Sequence, residues 1–410
     1  MPILTRVEQF SLACLAGLLM AGCGAREVSP SVVEIADAPA PKGSAEPNLA
    51  VSPSGEVFLS WLERGEGESY SLRYSRLADL DGTWSPPVTV LTRDDLFVNW
   101  ADFPSLLPTR SGRLIAHWLQ DSGEGPYTYD VRIAQSADDG KTWSESRILH
   151  DDGLQAEHGF VSLFESPDGE LQAVWLDGRN TVSATPSPEM QLGFTTISAD
   201  GVPAATQLLD TRICDCCQTS AAWAAAGPVV VYRDRSADEI RDTSIVRYVD
   251  GAWTQPASVH ADNWHIEGCP VNGPAVAAVG DTVAVAWFTG ANDEERVNLA
   301  FSADGGASFG EPIRVDDGNP VGRVSLSLSA RGQARVAWIE RTGDQEEAEI
   351  RLRMIRDDGV RSAPFLVAKT SAVRDAGFPR MASVGEDLIL AWTDISDGSR
   401  VRVARVRSGS

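Results

Sequence analysis

Thiol and imidazole groups are concentrated in two short stretches near the middle of the chain. The first stretch contains Cys214, Cys216 and Cys217, and the second contains His265 and Cys269. Thiolate and imidazole are ligands for soft and borderline metals, so these five residues are candidate ligands for copper or zinc. Their spacing matches no standard zinc motif, and no other cofactor is expected.

The same cysteines could instead form disulfides, since an exported chain meets an oxidising compartment. A bridge from Cys269 to Cys217 or Cys214 would join the two stretches. The cysteines left over would be adjacent or two apart, which strains a disulfide. Strained bridges favour redox activity or no bond. Structural disulfides, metal binding and redox chemistry therefore all remain open.

A second group of side chains could bind an anion. Its members are Arg179, Arg233, Arg235, Arg241, Asp177, Asp234 and Glu239. A guanidinium pairs with a carboxylate through two parallel hydrogen bonds, so the arginines could hold an acidic sugar while a carboxyl group transfers a proton. The alternative is that salt bridges among these residues lock the loops that carry them.

An internal repeat must position these side chains. Short apolar runs end in an aromatic residue about every 55 residues. The aromatic residues are Trp61, Trp118, Trp175, Tyr232, Trp287, Trp338 and Trp392. Each run is typical of a buried strand, and the period suits a blade of four strands. The sequence therefore predicts an all-β fold, a seven-bladed β-propeller of four-stranded antiparallel blades over residues 48–410.

A second repeated pattern lies between the aromatic strands. Its two fullest copies contain Ser136, Asp138, Gly140 and Trp143, and Ser302, Asp304, Gly306 and Phe309. Asp and Ser can hydrogen-bond to turn amides, Gly can take positive φ, and the aromatic ring can pack beneath the turn. The pattern predicts tight structural turns rather than catalytic carboxylates.

These turns resemble the Asp-box, or BNR repeat, of the sialidase-like β-propellers, and the likeness in rhythm covers the mature chain. The resemblance implies a propeller whose Asp-box turns face away from the ligand, with exo-acting glycosidase activity on an anionic glycan. The sialidases have six blades, so a six-bladed propeller is the alternative fold. Their Phe-or-Tyr-Arg-Ile-Pro motif is missing; the nearest stretch runs from Asp102 to Ser105 without the arginine. No catalytic residue can be transferred, and we expect binding rather than catalysis.

The amino-terminal region predicts export. Residues 1–22 are typical of a signal peptide, and the Ala-Gly-Cys23 sequence resembles a bacterial lipobox, which implies lipidation of Cys23. An ordinary signal peptide cleaved near Gly24 is the alternative. Gly24 after the lipidated cysteine favours the outer membrane. Residues 23–47 are predicted to form a linker and, at 32–35, a strand that closes the propeller ring.

The net charge of the chain and the loop positions of the candidate residues limit the range of possible functions. The net charge of −23, without a basic stripe, argues against nucleic acid as a partner. The candidate ligands and arginines, together with His150, His158 and His260, are predicted in loops that open on one propeller face. We therefore expect a lipid-anchored cell-envelope propeller that binds a ligand, a metal or a protein partner there. The alternatives are an exo-acting, sialidase-like glycosidase and a scaffold in an envelope assembly.

Overall fold

A computed structural model of the protein describes residues 30–182, 189–343 and 346–408. Within these ranges the strands form seven antiparallel sheets arranged as the blades of a propeller. The seven-bladed prediction is thus confirmed, and the six-bladed alternative is wrong. The predicted signal peptide and Cys23 lie outside the described residues.

The chain supplies the blades in order, except for its first described strand, β1 (Pro30–Ala36). Blade 1 contains β2 (Ser44–Val51), β3 (Val57–Arg64), β4 (Tyr70–Leu77) and β5 (Val88–Arg93). Blade 2 contains β6 (Ser105–Pro108), β7 (Leu114–Asp121), β8 (Tyr129–Ser136) and β9 (Arg147–Ile148). Blade 3 contains β10 (His158–Glu165), β11 (Leu171–Asp177), β12 (Met190–Ile197) and β13 (Gln207–Ile213). Blade 4 contains β14 (Ser220–Trp223), β15 (Pro228–Arg233), β16 (Thr243–Val249), β17 (Ala252–Trp253) and β18 (Ala257–Ser258).

The remaining blades follow the same plan. Blade 5 contains β19 (Ala275–Val279), β20 (Thr282–Thr289), β21 (Arg296–Ser302) and β22 (Ile313–Arg314). Blade 6 contains β23 (Pro320–Leu328), β24 (Ala334–Arg341), β25 (Glu347–Ile355) and β26 (Phe365–Ser371). Blade 7 contains β27 (Arg380–Val384), β28 (Asp387–Asp394) and β29 (Arg400–Ser408). Two short 3-10 helices cover Ala291–Asp293 and Arg374–Ala376.

The first described strand completes the last blade. β1 pairs antiparallel with β29, with Val33 opposite Val406, and forms the outermost strand of blade 7. This pairing closes the ring, so blade 7 gains a fourth strand and β29 is not left as an edge. Among the described residues, no helix has the length and apolar character that a membrane span requires.

The tryptophan repeat has a clear structural cause. Trp61, Trp175 and Trp338 are fully buried in second strands, where they fill the space between blades. The Trp175 indole N–H donates to Asp177 at 3.0 Å, and Trp338 donates to Glu340 at 2.6 Å. Residues i and i+2 point to the same side of a strand, so an acceptor two positions later satisfies the buried indole. This second part of the repeat was not found from the sequence.

The serine-aspartate turns join third and fourth strands. In the first turn the Asp138 carboxylate accepts the Thr142 amide at 2.9 Å, and the Ser136 hydroxyl accepts the Gly140 amide at 2.8 Å. Asp304 and Ser302 make the same bonds in blade 5. These turns lie on the propeller face opposite the predicted ligands, and their carboxylates are occupied by turn amides.

Candidate functional site

The predicted ligands and arginines lie on one face, here called the top face. It is formed by the loops that enter each innermost strand and by the loops between second and third strands. The cysteine cluster, defined as Cys214, Cys216, Cys217 and Cys269, belongs to two successive loops that enter blades 4 and 5.

One disulfide is present in the cysteine cluster, and its partner differs from the expectation. Cys269 bonds to Cys216, not to Cys217 or Cys214. The reason is orientation: Cys214 and Cys217 are 1% exposed and point into the core, whereas Cys216 is half-buried and Cys269 is exposed. The bridge links the loops entering two neighbouring blades.

The other two sulfurs are buried free thiols. Their Sγ atoms are 3.7 Å apart, and the Arg241 guanidinium donates to Cys214 Sγ at 3.1 Å. The hydrogen bond from Cys217, aided by the Arg241 charge, lowers the pKa of the Cys214 thiol, whereas burial raises the pKa of the Cys217 thiol. Cys214 is therefore the more acidic thiol of the pair, and Cys217 stays protonated.

The five predicted metal ligands do not converge on one point. His265 is exposed, and its backbone pairs with Ile240 rather than its ring approaching the sulfurs. Two of the four sulfurs are joined covalently. Cys214, Cys216 and Cys217 still lie close enough to share an ion, but Cys216 enters that group as a disulfide sulfur.

The predicted arginines are engaged within the protein. Arg233 is 2% exposed and donates to the carbonyl oxygens of Asn272, Arg241 and Phe288. These bonds use four of the five N–H groups of a buried guanidinium, so Arg233 has a structural role.

The other members of this group form ion pairs or loop contacts. Arg235 and Arg241 both donate to Glu239, at 2.7 and 2.9 Å. Arg179 donates to both oxygens of the buried Asp177 at 2.8 Å. Asp234 accepts from the Ser244 hydroxyl at 2.9 Å. These contacts match the alternative in which salt bridges lock the loops.

A carboxyl network that the sequence did not reveal lies between blades 2 and 3. The Tyr129 hydroxyl lies 2.9 Å from Asp102 Oδ2 and 3.2 Å from Glu157 Oε1. Asp102 is buried and also accepts the Phe160 amide at 2.7 Å, while Glu157 is half-buried. A phenol thus connects one enclosed carboxyl group to one that reaches solvent.

Burial shifts the pKa of both carboxyl groups upward. It raises the pKa of Asp102 to about 7, although the Phe160 amide and the Tyr129 hydroxyl act against the rise. Burial, reinforced by the negative charges of Asp102 and Asp215, raises the pKa of Glu157 to about 8. Raised carboxyl pKa values in a cleft are typical of proton-transfer sites.

The loop that carries Asp102 crosses the centre of the top face. Asn99 Oδ1 accepts the Ala101 amide at 2.9 Å and fixes the turn. The Ala101 carbonyl oxygen accepts from Gln218 Nε2 of blade 4 at 2.5 Å. Gly159 is required beneath this loop, because a Cβ there would overlap the Asp102 carboxylate. The Phe160 amide of blade 3 and the Gln218 side chain at the entry to blade 4 therefore hold the loop in place.

Aromatic and cationic side chains occupy the other end of this loop. Trp100, half-buried, stacks on Phe378 with ring centroids 5.7 Å apart, and the Arg323 guanidinium lies 4.8 Å from the Trp100 ring centre. Arg323 is buried and donates to backbone carbonyls, including that of Gly377 at 2.9 Å. Arg374 is exposed beside the same ring, 6.0 Å from its centre, and forms no ion pair among the described residues.

A cavity of about 330 Å³ follows the central channel beneath the crossing loop. Its lining includes Ser105, Ser162, Ser220 and Ser325 from four innermost strands. Arg380 also lines it and packs 5.2 Å from the Phe103 ring centre. Burial lowers the pKa of Arg380 to about 10, so the side chain remains a cation at neutral pH.

Two sequence signals pointed toward this site without identifying it. The stretch from Asp102 to Ser105 stood out only as an incomplete sialidase motif, yet it contains the buried carboxyl group. Glu157 directly precedes His158, one of the histidines predicted on this face. Neither signal shows that Tyr129 joins Asp102 to Glu157, because the three residues come from three separate segments.

Comparisons with known proteins support the fold. No family model matches the sequence, and no curated protein matches it. An ulvan lyase, described as a new family of polysaccharide lyase, superposes with a TM-score of 0.58 at 11% identity, over 92% of this chain and 98% of its own. A Dyadobacter fermentans protein of unknown function superposes with a TM-score of 0.53 at 13% identity, over 93% and 99%.

A Hadza microbial sialidase is also similar, with a TM-score of 0.49 and 16% identity over 83% of this chain and 74% of its own. That match is too weak to carry an argument. At these identities the likeness to known structures concerns the fold alone.

Proposed function

We propose that the protein binds an anionic glycan on its top face and cleaves it by proton transfer at the Asp102–Tyr129–Glu157 network. The observation that carries this proposal is the shared Tyr129 hydroxyl, which links the solvent-reaching Glu157 to the buried Asp102. Such a network can hold a proton near a substrate and replace it after transfer.

Side chains along the same loop and on neighbouring loops of the top face supply the contacts that a sugar acid needs. Trp100 is half-buried, and Tyr127 is 59% exposed on the loop before β8. Aromatic faces of this kind pack against the apolar faces of sugar rings. Arg374 supplies a positive charge without an ion pair among the described residues, so it suits the carboxylate of a uronic or sialic acid.

The proton chemistry fits two reactions. In hydrolysis, Glu157 gives a proton to the departing glycosidic oxygen while water attacks the anomeric carbon, and the proton that this water loses returns to the network. In β-elimination from a uronate, a deprotonated carboxylate of the network removes the proton beside the substrate carboxylate, and a carbon–carbon double bond forms as the bond to the glycosidic oxygen breaks. That oxygen takes up a proton from the protonated member of the network. The ulvan lyase that shares this fold makes elimination worth testing beside hydrolysis.

A matched set of variants tests the proposal. Glu157→Gln and Tyr129→Phe keep the shapes of the side chains but remove the acid and the bridging hydroxyl, and Glu267→Gln alters an exposed carboxylate elsewhere on the top face. Polysaccharides containing uronic or sialic acid are assayed for new reducing ends and for the ultraviolet absorbance of unsaturated uronates. We expect the rate to fall by about 10²–10⁴-fold in Glu157→Gln and to stay unchanged in Glu267→Gln.

The two readouts separate hydrolysis from elimination, since only elimination gives the unsaturated product. Turnover that is equal in the wild type and Glu157→Gln would overturn the catalytic role. The absence of both turnover and glycan binding in the wild type would overturn the proposal as a whole.

We also propose that the protein works outside the cytoplasm, anchored through a lipid on Cys23. The Cys216–Cys269 disulfide supports an oxidising compartment. Fractionation of cells expressing the full chain tests the anchor: wild-type protein should sediment with membranes, and Cys23→Ser should not. Equal sedimentation of the two proteins would contradict it.

A further inference from the structure

We infer that the junction between blades 2 and 3 contains a zinc-binding site made of His150, His158 and Asp130, with Asp152 orienting both imidazoles. Here these four residues are called the histidine cluster. The site is separate from the cysteine cluster, for which the sequence left disulfides, metal binding and redox chemistry open.

One carboxylate fixes the protonation of both rings. His150 Nδ1 lies 3.0 Å from Asp152 Oδ1, and His158 Nε2 lies 2.8 Å from Asp152 Oδ2. A carboxylate accepts hydrogen bonds, so each of these nitrogens carries the proton. The second ring nitrogens, His150 Nε2 and His158 Nδ1, are the atoms that remain for a metal ion.

Neither nitrogen has a protein hydrogen-bond partner with good geometry, and a 3.5 Å ion-pair distance separates His150 Nε2 from Asp130 Oδ1. Both nitrogens are buried and unpartnered, and the side chains of His150 and His158 are only 1% and 0% exposed. The rings are nearly parallel, with centroids 3.6 Å apart, an arrangement that disfavours two imidazolium cations. Buried ring nitrogens without partners are a destabilising arrangement that a bound metal ion would relieve.

A third ligand lies beside them. Asp130 Oδ1 is 3.5 Å from His150 Nε2, and ligand atoms of Asp130, His150 and His158 all lie within 4.8 Å of one another. Bringing these atoms to zinc bonding distance requires the two parallel rings to turn relative to each other, because an imidazole nitrogen binds a metal in the plane of its ring. Two imidazoles and one carboxylate, with a fourth position open, form a donor set that zinc accepts. The Asp130 side chain is 13% exposed and gives the ion a route from solvent.

Asp152 fits the role of an orienting residue. In zinc sites the ligating histidine commonly donates its second ring N–H to a carboxylate, which fixes the ring and makes the free nitrogen more basic. Here a single carboxylate does this for both histidines. Asp177, 3.8 Å from His158 Nε2, is instead occupied by Arg179 and by the Trp175 indole, so it is not a ligand.

The site is distinct from the proposed glycan site although the two adjoin. Tyr129 and Asp130 are successive residues of β8, so their side chains point to opposite sides of the strand. Tyr129 reaches Asp102 and Glu157, whereas Asp130 reaches His150.

Metal content and affinity test the inference on the full chain purified without chelator. We expect one zinc per chain by mass spectrometry, removable by a chelator and restored by added zinc. His150→Gln and His158→Gln should lose it, and Asp152→Asn should bind zinc about 10–100-fold more weakly. Asp130→Asn provides a variant at the partly exposed edge of the site, and it should also weaken binding.

Controls separate this site from the cysteine cluster. Cys214→Ser and His265→Ala should keep wild-type zinc affinity, and cobalt bound in place of zinc should show no thiolate charge-transfer band. Folded wild-type protein that takes up no zinc would overturn the inference. So would zinc that remains in the folded histidine and Asp130 variants but is lost from Cys214→Ser.

Discussion

The histidine cluster and the cysteine cluster are built around successive loops of the top face. They differ in whether their potential metal-ligating atoms already have bonding partners within the protein. In the cysteine cluster, Cys216 is bonded to Cys269, and Cys214 accepts from Arg241. In the histidine cluster, two ring nitrogens are buried without partners. A cysteine or histidine is therefore a good candidate ligand only if its sulfur or ring nitrogen is not already bonded to another protein group. The residue type alone is a weaker indication of metal binding.

The largest expected effect comes from the disulfide. Cys269→Ser removes a cross-link between loops 53 residues apart, and we expect the free energy of unfolding to fall by about 4 kcal/mol. Thermal and denaturant unfolding measure this loss. Cys214→Ser is the control, since it removes a thiol without removing a cross-link, and an equal loss in both variants would show that the bridge does not stabilise the protein.

A smaller loss is expected at the centre of the histidine cluster. Asp152→Asn places an amide N–H₂ against an imidazole N–H, so one buried donor loses its acceptor, and unfolding should become easier by about 3 kcal/mol. The comparison is made in the presence of a chelator so that bound zinc does not contribute. Wild-type stability in this variant would mean that Asp152 does not hold the two rings.

Arg241 tests the thiol side of the comparison. Arg241→Met removes the cation beside Cys214, so the pKa of the Cys214 thiol should rise, and the lost hydrogen bonds should lower stability by about 2 kcal/mol. The pH dependence of thiolate absorbance, corrected with Cys214→Ser, reports the pKa. An unchanged titration would show that Arg241 does not set the acidity of the thiol.

The smallest effect is expected at His265. Its ring is exposed and lies outside both clusters, so His265→Ala should change the free energy of unfolding by less than about 0.5 kcal/mol. A clear change in stability or in metal content would mean that the loop rearranges to bring this ring toward the sulfurs.

Much of the fold could be predicted because the repeat leaves a mark in every blade. A buried tryptophan such as Trp175 must recur where neighbouring blades pack, and a turn such as that of Asp138 must recur where third strands end. The same periodicity placed the candidate residues on one face, since loop positions follow directly from strand order.

The site itself depended on contacts that periodicity does not encode. The cysteine pairing was wrong because only the folded loops determine that Cys216, and not Cys217, points toward Cys269. The Asp102–Tyr129–Glu157 network was missed because its members are ordinary residues in three separate segments. The histidines were noted from the sequence, but the role of Asp152 depends on one carboxylate reaching two rings at once.

Ring closure by β1 also sets the order in which the molecule can be completed. β1 is synthesised before every blade, but its partner β29 is the last described strand to be made. Six blades can form from segments that are neighbours in the sequence. The seventh needs β1 to pair with β29 across almost the whole described chain, and a contact between such distant segments forms slowly. Until then β29 has a free edge that can pair with another chain, so aggregation should be greatest in this final stage of folding.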